Sequence, residues 1–418
     1  MAEGKTVRLT RRQLIKGAGA AAGLVAASPL LSACGPFARP GASGGPLRIG
    51  ILLPYSDIYA VLGESITEGM RLYFDEVGNE AGGRQIEVIT EDTEIQPDVA
   101  QQKARKLVEQ DEVDLVAGIV SSGVLMGLRD YFDSMRKLLI VANAGANPIS
   151  RDQRSPYIWR TSFTNWQPNW PVGAWAAENV GTRAFISVPD YAAGEDTITS
   201  FSDSFMEAGG EVIAVQRTPF PNMGDPAPFM AEIANAEPDL VYSFYSGSAA
   251  VTFVQAYGDF GLAGNIPLMS SGFMVEEDVL PAQGEHAMGI RSGMHWSFVL
   301  DNPENDAFKT AYRERTGEDA NVFAVQGYDT AHLIVDMINA VEGDTTNVDG
   351  MIEVIPGITF DSPRGPFVMD ENSHNPSQHI YLREVQEVDG ELHNAIIEDL
   401  GVITDPGDNS RDEYPEIR

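Results

Sequence analysis

Small polar residues follow two apolar runs of this chain, and their types suit the binding of an anion. Ser121 and Ser122 follow the run VDLVAGIV and open a segment with helical spacing. Serine hydroxyls and the free backbone N–H groups of a helix N-terminus can together hold a carboxylate. Simple helix capping by the serines is the alternative interpretation. Asn143, Ala144 and Gly145 follow the next apolar run and are small enough for a ligand to approach the backbone.

Aromatic and hydroxyl side chains occupy the comparable loops elsewhere. Tyr55 and Tyr59 follow the first apolar run, and further loops carry Tyr191, Ser246 and Phe273. In open α/β sheets, ligands lie beyond the carboxyl ends of the strands, where such loops lead into helices. Core packing of the aromatic rings is the alternative. The sequence therefore predicts that these loops, the serine pair and the Asn-Ala-Gly loop line one binding site.

Recognisable catalytic motifs are missing from the sequence. It contains no GxxxxGK[ST] or HExxH pattern and no GxSxG elbow between a strand and a helix, which are typical of nucleotide-binding loops, zinc proteases and hydrolases. His374 and His379 lie close together, but no nearby residue completes a metal site. We therefore predict a binding protein without catalytic residues, metal or cofactor. An extracellular enzyme that lacks a recognisable motif is the alternative.

Strand-like and helical segments alternate along most of the chain. Apolar runs such as LRIGILLP alternate with helical patterns, in one of which Ile66, Met70 and Tyr73 share a face. The alternation restarts after Thr161, and two long helical patterns and further strand-like pieces follow. A length of 418 residues also exceeds what one hydrophobic core usually serves. The predicted fold class is α/β, with two domains built on parallel sheets.

Charge and hydropathy argue against a nucleic-acid partner and against a membrane-spanning helix. Acidic residues outnumber basic ones by 61 to 28, for a net charge of −33. Because phosphate binding requires clustered Lys and Arg, a nucleic-acid partner is excluded. Outside the N-terminus no apolar run of ~20 residues occurs, so no membrane-spanning helix is expected in the mature protein. The spread of acidic residues predicts a solvated, self-repelling surface, and we expect a monomer.

The N-terminal segment has the features of an export signal. Arg11 and Arg12 resemble a twin-arginine signal, and the residues LSAC, which end at Cys34, resemble a bacterial lipobox. Cys34 is the only cysteine, and a Gly/Ser/Pro-rich stretch follows it. We predict a signal peptide over 1–33, a lipid anchor on Cys34 and a flexible tether over 34–46. The mature chain would then lie on the outer face of the cytoplasmic membrane. A buried structural cysteine is the alternative.

The ordered loops resemble those of a known family. An exported chain with RIGILLP, GIVSSG and NAGANP in this order is similar to substrate-binding proteins of ABC transporters, of the branched-chain amino-acid type. The resemblance implies two Rossmann-like lobes joined by three crossovers, which is the type I periplasmic-binding fold. It implies a small-molecule solute captured by hinge closure, with permease and ATPase subunits as partners. The implied ranges are lobe 1, 47–160 and 297–360; lobe 2, 161–296 and 361–405; acidic tail, 406–418. A ligand-sensing receptor of the same fold is the alternative.

Binding residues of the family match this sequence unevenly. The serine that holds the ligand carboxylate matches Ser121 or Ser122, and the aromatic of the first loop of lobe 2 matches Tyr191. The Ala-Thr pair of amino-acid binders appears here as Gly145-Ala146, so a threonine hydroxyl is missing.

The acid that takes the α-ammonium group in the family falls near Gly272-Phe273 and is absent. An ammonium group without this partner loses a hydrogen bond worth about 1.5–3 kcal/mol. The segments YLREVQEV, QGYDTAHLI and FDSPRGPF also resemble the subgroup linked to uptake of benzoate-like acids. The resemblance therefore implies an aromatic or other organic carboxylate. An aliphatic amino acid is the main alternative, followed by amides, ureas and short peptides.

Overall fold

Two sheets organise the chain. A computed structural model describes residues 45–388 and 390–407. The predicted export residues Arg11 and Arg12, the predicted lipid site Cys34, and nearly all of the predicted tether and tail lie outside the described residues.

The sheet of lobe 1 has six strands in the order β2-β3-β1-β4-β5-β6. Its strands are β1 (Leu47–Leu53), β2 (Glu80–Ala81), β3 (Arg84–Asp92), β4 (Leu115–Gly118), β5 (Leu139–Val141) and β6 (Ile158–Arg160). All neighbours pair in parallel except β2 and β3. Its helices are α1 (Ala60–Glu76), α2 (Pro97–Arg105), which continues as a π-helical turn over Lys106–Gln110, and α3 (Ser122–Met135).

Buried strand residues explain the near-continuous apolar runs. In β1, Ile51 packs into the cluster under α1, whereas the neighbouring Leu52 packs into the cluster under α2 and α3. Successive side chains of a strand point to opposite faces, and helices cover both faces of this sheet. A strand buried on both sides needs apolar residues at almost every position, as LRIGILL has.

Lobe 2 is built on a nine-stranded sheet in the order β12-β13-β14-β11-β10-β9-β7-β8, with β15 paired to β14. Its strands are β7 (Arg183–Pro189), β8 (Glu211–Thr218), β9 (Leu240–Ser243), β10 (Leu268–Ser271), β11 (Arg291–Met294), β12 (Thr359–Ser362), β13 (Gly365–Asp370), β14 (Asn375–Val388) and β15 (Glu391–Ile403). Strands β7–β11 are parallel and the rest are antiparallel. Its helices are α4 (Trp166–Asn179), α5 (Ala192–Glu207), α6 (Ala227–Ala236), α7 (Ser248–Asp259) and α8 (Leu280–Gln283). The predicted α/β class with two lobes is confirmed.

The chain crosses between the lobes three times. It leaves the first sheet after β6 and forms α4 against lobe 2. After β11 it returns as α9 (Pro303–Thr316) and α10 (Val322–Ala340), which pack on α1. Helix α11 (Val348–Val354) follows, and β12 then joins the second sheet. Because β12 begins at Thr359, the predicted lobe 1 range of 297–360 overlaps the start of this strand.

Two glycines let α1 and α10 approach backbone to backbone. A Cβ atom on Gly69 would overlap the carbonyl oxygen of Ala324, and a Cβ atom on Gly327 would overlap the carbonyl oxygen of Ile66. This reciprocal contact holds the returning helix of lobe 1 close to the helix that follows β1. Any side chain at either glycine must push the helices apart.

We expect Gly327→Ala to lower the free energy of unfolding by about 1–3 kcal/mol, because overpacking outweighs the better helix propensity of alanine. Urea denaturation measures this change. The control is Gly123→Ala in α3, where the nearest atom is the Ser121 Oγ at 3.7 Å. That variant should gain up to about 1 kcal/mol. Equal stabilities for the two variants would contradict the close helix contact.

Candidate functional site

A cavity of about 290 Å³ lies between the two lobes, beyond the carboxyl ends of the parallel strands. Both lobes and the first crossover contribute to its wall. The lining residues are Tyr59, Leu62, Val120, Ser122, Asn143, Gly145, Phe163, Asn165, Tyr191, Ala193, Phe244, Ser246 and Phe273.

Most of the residues predicted from the sequence come together here: Tyr59, Ser122, Asn143, Gly145, Tyr191, Ser246 and Phe273. Tyr55, Ser121 and Ala144 do not line the cavity. The Tyr55 hydroxyl contacts the Thr67 hydroxyl at 2.7 Å, and the fully buried Ala144 accepts a hydrogen bond from Arg160 through its carbonyl oxygen. Their predicted contact with a ligand is therefore not supported by this geometry. Ser121 immediately precedes α3, and its side chain makes no capping hydrogen bond.

The polar end of the cavity is formed where α3 begins. The Oγ atom of Ser122 accepts a hydrogen bond of 3.3 Å from the Asn165 amide. The side-chain amide of Asn143 donates to the side-chain oxygen of Gln326 at 2.6 Å, and this hydrogen bond orients Asn143 at the wall. At Gly145, an added Cβ atom would overlap the side chain of Asn165, so this loop has no room for a larger residue. Uncharged amides, a hydroxyl and a helix N-terminus together suit a carboxylate.

Aromatic rings form the middle of the cavity. Phe273 lies with its ring centroid 4.8 Å from that of Phe163 and 6.2 Å from that of Phe244, the latter edge to face. Phe323 of α10 packs behind Phe273 at 5.9 Å. Such rings offer a flat, apolar surface and favour a partner that is itself aromatic or apolar.

A tyrosine pair connects the lobes across the cavity. The hydroxyl oxygens of Tyr59, in lobe 1, and Tyr191, in lobe 2, lie 3.2 Å apart. Burial raises the pKa of Tyr59 to about 12 and raises that of Tyr191 well above its usual value, so both hydroxyls keep their protons. The ring of Tyr191 stacks on Phe220 with centroids 4.1 Å apart. Because this contact joins the two lobes, the cleft between them is closed in this structure.

Within the described part of the chain, no residue that lines the cavity carries a formal charge. The nearby acid Asp196 accepts hydrogen bonds from the Asn147 backbone N–H at 2.9 Å and from the Asn165 amide at 2.8 Å. Burial raises the pKa of Asp196 to about 6, although Arg151 and Arg160 oppose the shift. Asn165 thus stands between this carboxylate and the cavity.

Position 272 has no space for an acid. A Cβ atom on Gly272 would lie 2.7 Å from the Cβ of Met294 and would also overlap the guanidinium of Arg383. Arg383 is engaged with the buried Glu276 at 2.5 Å. An acid at position 272 is therefore sterically disfavoured, and the next residue, Phe273, supplies a ring to the cavity.

Some lining residues were not among those predicted: Leu62, Val120, Phe163, Asn165, Ala193 and Phe244. Phe163 and Asn165 directly follow the first predicted crossover, and chain that passes between two lobes must border the cleft. Phe244 directly follows β9, as Ser246 nearly does. The position after a crossover could therefore have identified Phe163 and Asn165, and the position after a strand end could have identified Phe244. Residues 45–388 and 390–407 contain no group of three potential metal ligands.

Comparison with known proteins identifies the relatives of this fold and site. Residues 46–391 match the model of the family described as periplasmic binding protein. The chain belongs to this family. The Leu/Ile/Val-binding protein homolog 6 of Brucella melitensis is 33% identical over 368 residues, which cover 86% of this chain and 93% of that protein.

Solved structures of solute-binding proteins resemble most of this chain. A solute-binding protein of an ABC transporter from R. palustris, in complex with benzoate, is 35% identical with a TM-score of 0.82, covering 87% of this chain and 99% of that one. A second R. palustris protein, in complex with 4-hydroxybenzoate, is 32% identical with a TM-score of 0.82, covering 86% and 98%. This periplasmic binding protein is thus a solute-binding protein of the ABC-importer type with the type I fold.

Proteins of this class bind solutes rather than transform them, and they work outside the cytoplasm. Among the described residues, no helix is both long and apolar enough to cross a membrane.

Proposed function

We propose that this periplasmic binding protein captures an aromatic carboxylate of the benzoate class and delivers it to an importer. The observation that carries the proposal is the cavity wall, which combines a polar, uncharged end at the start of α3 with the rings of Phe163, Phe244 and Phe273. A benzoate ion has one charged end and one flat apolar end, and it matches both features. The R. palustris proteins described above, which were solved with benzoate and 4-hydroxybenzoate, support this assignment.

A branched-chain amino acid is the second candidate, and the name of the Brucella relative favours it. Its ammonium group would enter a wall without a formal charge, whereas its carboxylate could bind where the benzoate carboxylate does. A buried ammonium group without an anionic partner is strongly disfavoured. Asp196 is the acid nearest in the hydrogen-bond network, but it is engaged by Asn147 and Asn165. The aromatic acid therefore fits the wall better.

Capture proceeds by closure of the lobes. The ligand contacts residues of both lobes and so stabilises the closed form, in which Tyr59 and Tyr191 meet. Asn143 of lobe 1 would contact the carboxylate of the solute, and Phe273 of lobe 2 would contact its ring. No bond of the solute is broken, and the protein acts as a binding protein without enzymatic activity. A permease and its ATPase subunits, which open the lobes and accept the solute, are the proposed partners.

The proposed location is the outer face of the cytoplasmic membrane. Arg11 and Arg12 would direct export, and a lipid on Cys34 would anchor the chain through the tether. Radiolabelled palmitate in cells that produce the full chain tests the anchor, with Cys34→Ser as the control. Incorporation into both forms would contradict a lipid on this sulfur.

The ligand class is tested by a thermal-shift and calorimetry panel on residues 35–418, since the described residues, 45–388 and 390–407, all belong to one compact unit. Benzoate and 4-hydroxybenzoate are compared with leucine, isoleucine and valine. A ligand at 100 times its dissociation constant should stabilise the protein by about 2.7 kcal/mol and raise its melting temperature. We expect this rise with the aromatic acids only. A rise with the amino acids alone would overturn the proposal in favour of the second candidate.

A further inference from the structure

A second, narrower cavity adjoins the first, and Tyr59 and Ser246 line both. The rest of its wall is mostly apolar and includes Pro219, Phe220 and Met223. No part of the proposed benzoate contact uses this space. The shared residues mark the place where the two cavities meet.

Ser246 supplies a polar group at this junction. Its side-chain oxygen is buried and has no hydrogen-bond partner within the described part of the chain, and the residue is only 6% exposed. An unsatisfied buried hydroxyl is costly to a fold, and the Ser246 hydroxyl is free to donate to a ligand that reaches the junction. The neighbouring Tyr245 differs, because its hydroxyl contacts those of Ser187 and Thr218, each at 3.1 Å.

The direction of the bound acid follows from which residues line which cavity. Ser122, Asn143 and Asn165, at the polar end, line only the first cavity. Tyr59 and Ser246 line both. In the proposed pose, a benzoate whose carboxylate contacts the polar end directs the para position of its ring towards the junction.

We infer that the two cavities form one elongated site for a benzoic acid with an alkoxy group in the para position. The ether oxygen accepts a hydrogen bond from Ser246, and the alkyl part enters the second cavity between Pro219, Phe220 and Met223. This inference rests on the proposed function, because it takes the carboxylate to lie at the start of α3. It adds the substitution pattern that the site selects.

The test measures affinities by titration calorimetry for benzoate, 4-hydroxybenzoate, 4-methoxybenzoate and 4-ethoxybenzoate. Each carbon buried in the second cavity should tighten binding about fourfold. The 4-ethoxy compound should therefore bind more than tenfold more tightly than 4-hydroxybenzoate, and 3-ethoxybenzoate should show no such gain. Equal affinities for the 4-ethoxy and 4-hydroxy acids, or an equal gain for the 3-ethoxy acid, would overturn the inference.

A matched pair of variants locates the effect. Ala249 of α7 lines the second cavity only, so Ala249→Leu should fill it and bring the affinity ratio of 4-ethoxybenzoate to benzoate down to about one. Thr252→Leu, at an exposed position on the same helix, should leave that ratio at its original value. An unchanged ratio in Ala249→Leu would overturn the inference while the benzoate proposal stands. Failure of every benzoic acid to bind the unaltered protein would overturn both.

Discussion

Replacing Arg364 by alanine is expected to lower the free energy of unfolding by about 3–5 kcal/mol, the loss seen when one partner of a buried ion pair is removed. The Arg364 guanidinium lies 2.8 Å from the Asp329 carboxylate, and their side chains are 3% and 0% exposed. Removing the arginine leaves the carboxylate buried without its cation. Urea denaturation of the ligand-free protein gives the difference.

A surface ion pair provides the control. Arg136 and Asp349 lie 2.9 Å apart with side chains that are 62% and 70% exposed, so Arg136→Ala should cost less than about 1 kcal/mol. The double variant Asp329→Asn, Arg364→Met should recover part of the loss, because no buried charge then remains. Comparable losses of unfolding free energy in Arg364→Ala and Arg136→Ala would show that the buried ion pair stabilises the fold no more than the exposed pair does.

Arg364 contacts segments of the chain that join the two lobes. The guanidinium also donates hydrogen bonds to the carbonyl oxygens of Thr161 and Ser162, in the first crossover. Asp329 belongs to α10 of lobe 1, and Arg364 lies at the turn between β12 and β13, after the third crossover. One side chain therefore holds two crossovers against lobe 1.

Hydrogen bonds also link the crossovers to the cavity. The Ser162 hydroxyl donates to the carbonyl oxygen of Asn143 at 3.2 Å, and Asn143 lines the polar end. In the second crossover, the ring of His295 lies 3.4 Å from the amide nitrogen of Gln326, whose oxygen accepts from Asn143. Burial lowers the pKa of His295 well below its usual value, so this hinge residue is neutral. A shift of the crossovers on opening would therefore move Asn143 directly.

The alternation of strands and helices was predictable because it depends on local patterns. Apolar runs buried on both sides and amphipathic helices such as α1 have periods that are visible in a short window. Local patterns do not predict helix α4, because Pro168 and Pro171 lie within its first two turns and proline usually interrupts a helix. Pro168 lies in the first turn, where the missing N–H has no partner to lose, whereas Pro171 lies inside the helix and removes one backbone hydrogen bond there.

The site was predictable only in part, because its remaining features depend on contacts between distant residues. The loops at strand ends carry the predicted Ser122, Gly145 and Tyr191, whereas the pairing of Asn165 with Asp196 requires the folded lobes. The ion pair of Asp329 and Arg364 joins residues 35 positions apart, as their numbers show, and no local pattern indicates it. The second cavity likewise arises where loops of both lobes meet.

Replacing Phe273 by glutamate is expected to weaken benzoate binding about 100-fold or more, which corresponds to about 2.7 kcal/mol. The substitution removes a ring that is 4% exposed and lies against Phe163 and Phe244. Burial of an aromatic side chain against a partner accounts for about 1.5–3 kcal/mol by itself. The introduced carboxylate adds repulsion, because it enters a cavity that already holds the carboxylate of the ligand.

Phe273→Leu separates these two causes. Leucine keeps the wall apolar and uncharged, so benzoate binding should fall only about tenfold or less. Calorimetry measures both affinities, and the melting temperature of each variant shows whether the fold survives. Equal losses for leucine and glutamate would mean that the ring matters and the charge does not. Unchanged benzoate affinity in Phe273→Glu would show that benzoate binds elsewhere. A glutamate carboxylate beside the bound anion must either repel it or take up a proton, and proton uptake would make the benzoate affinity depend on pH.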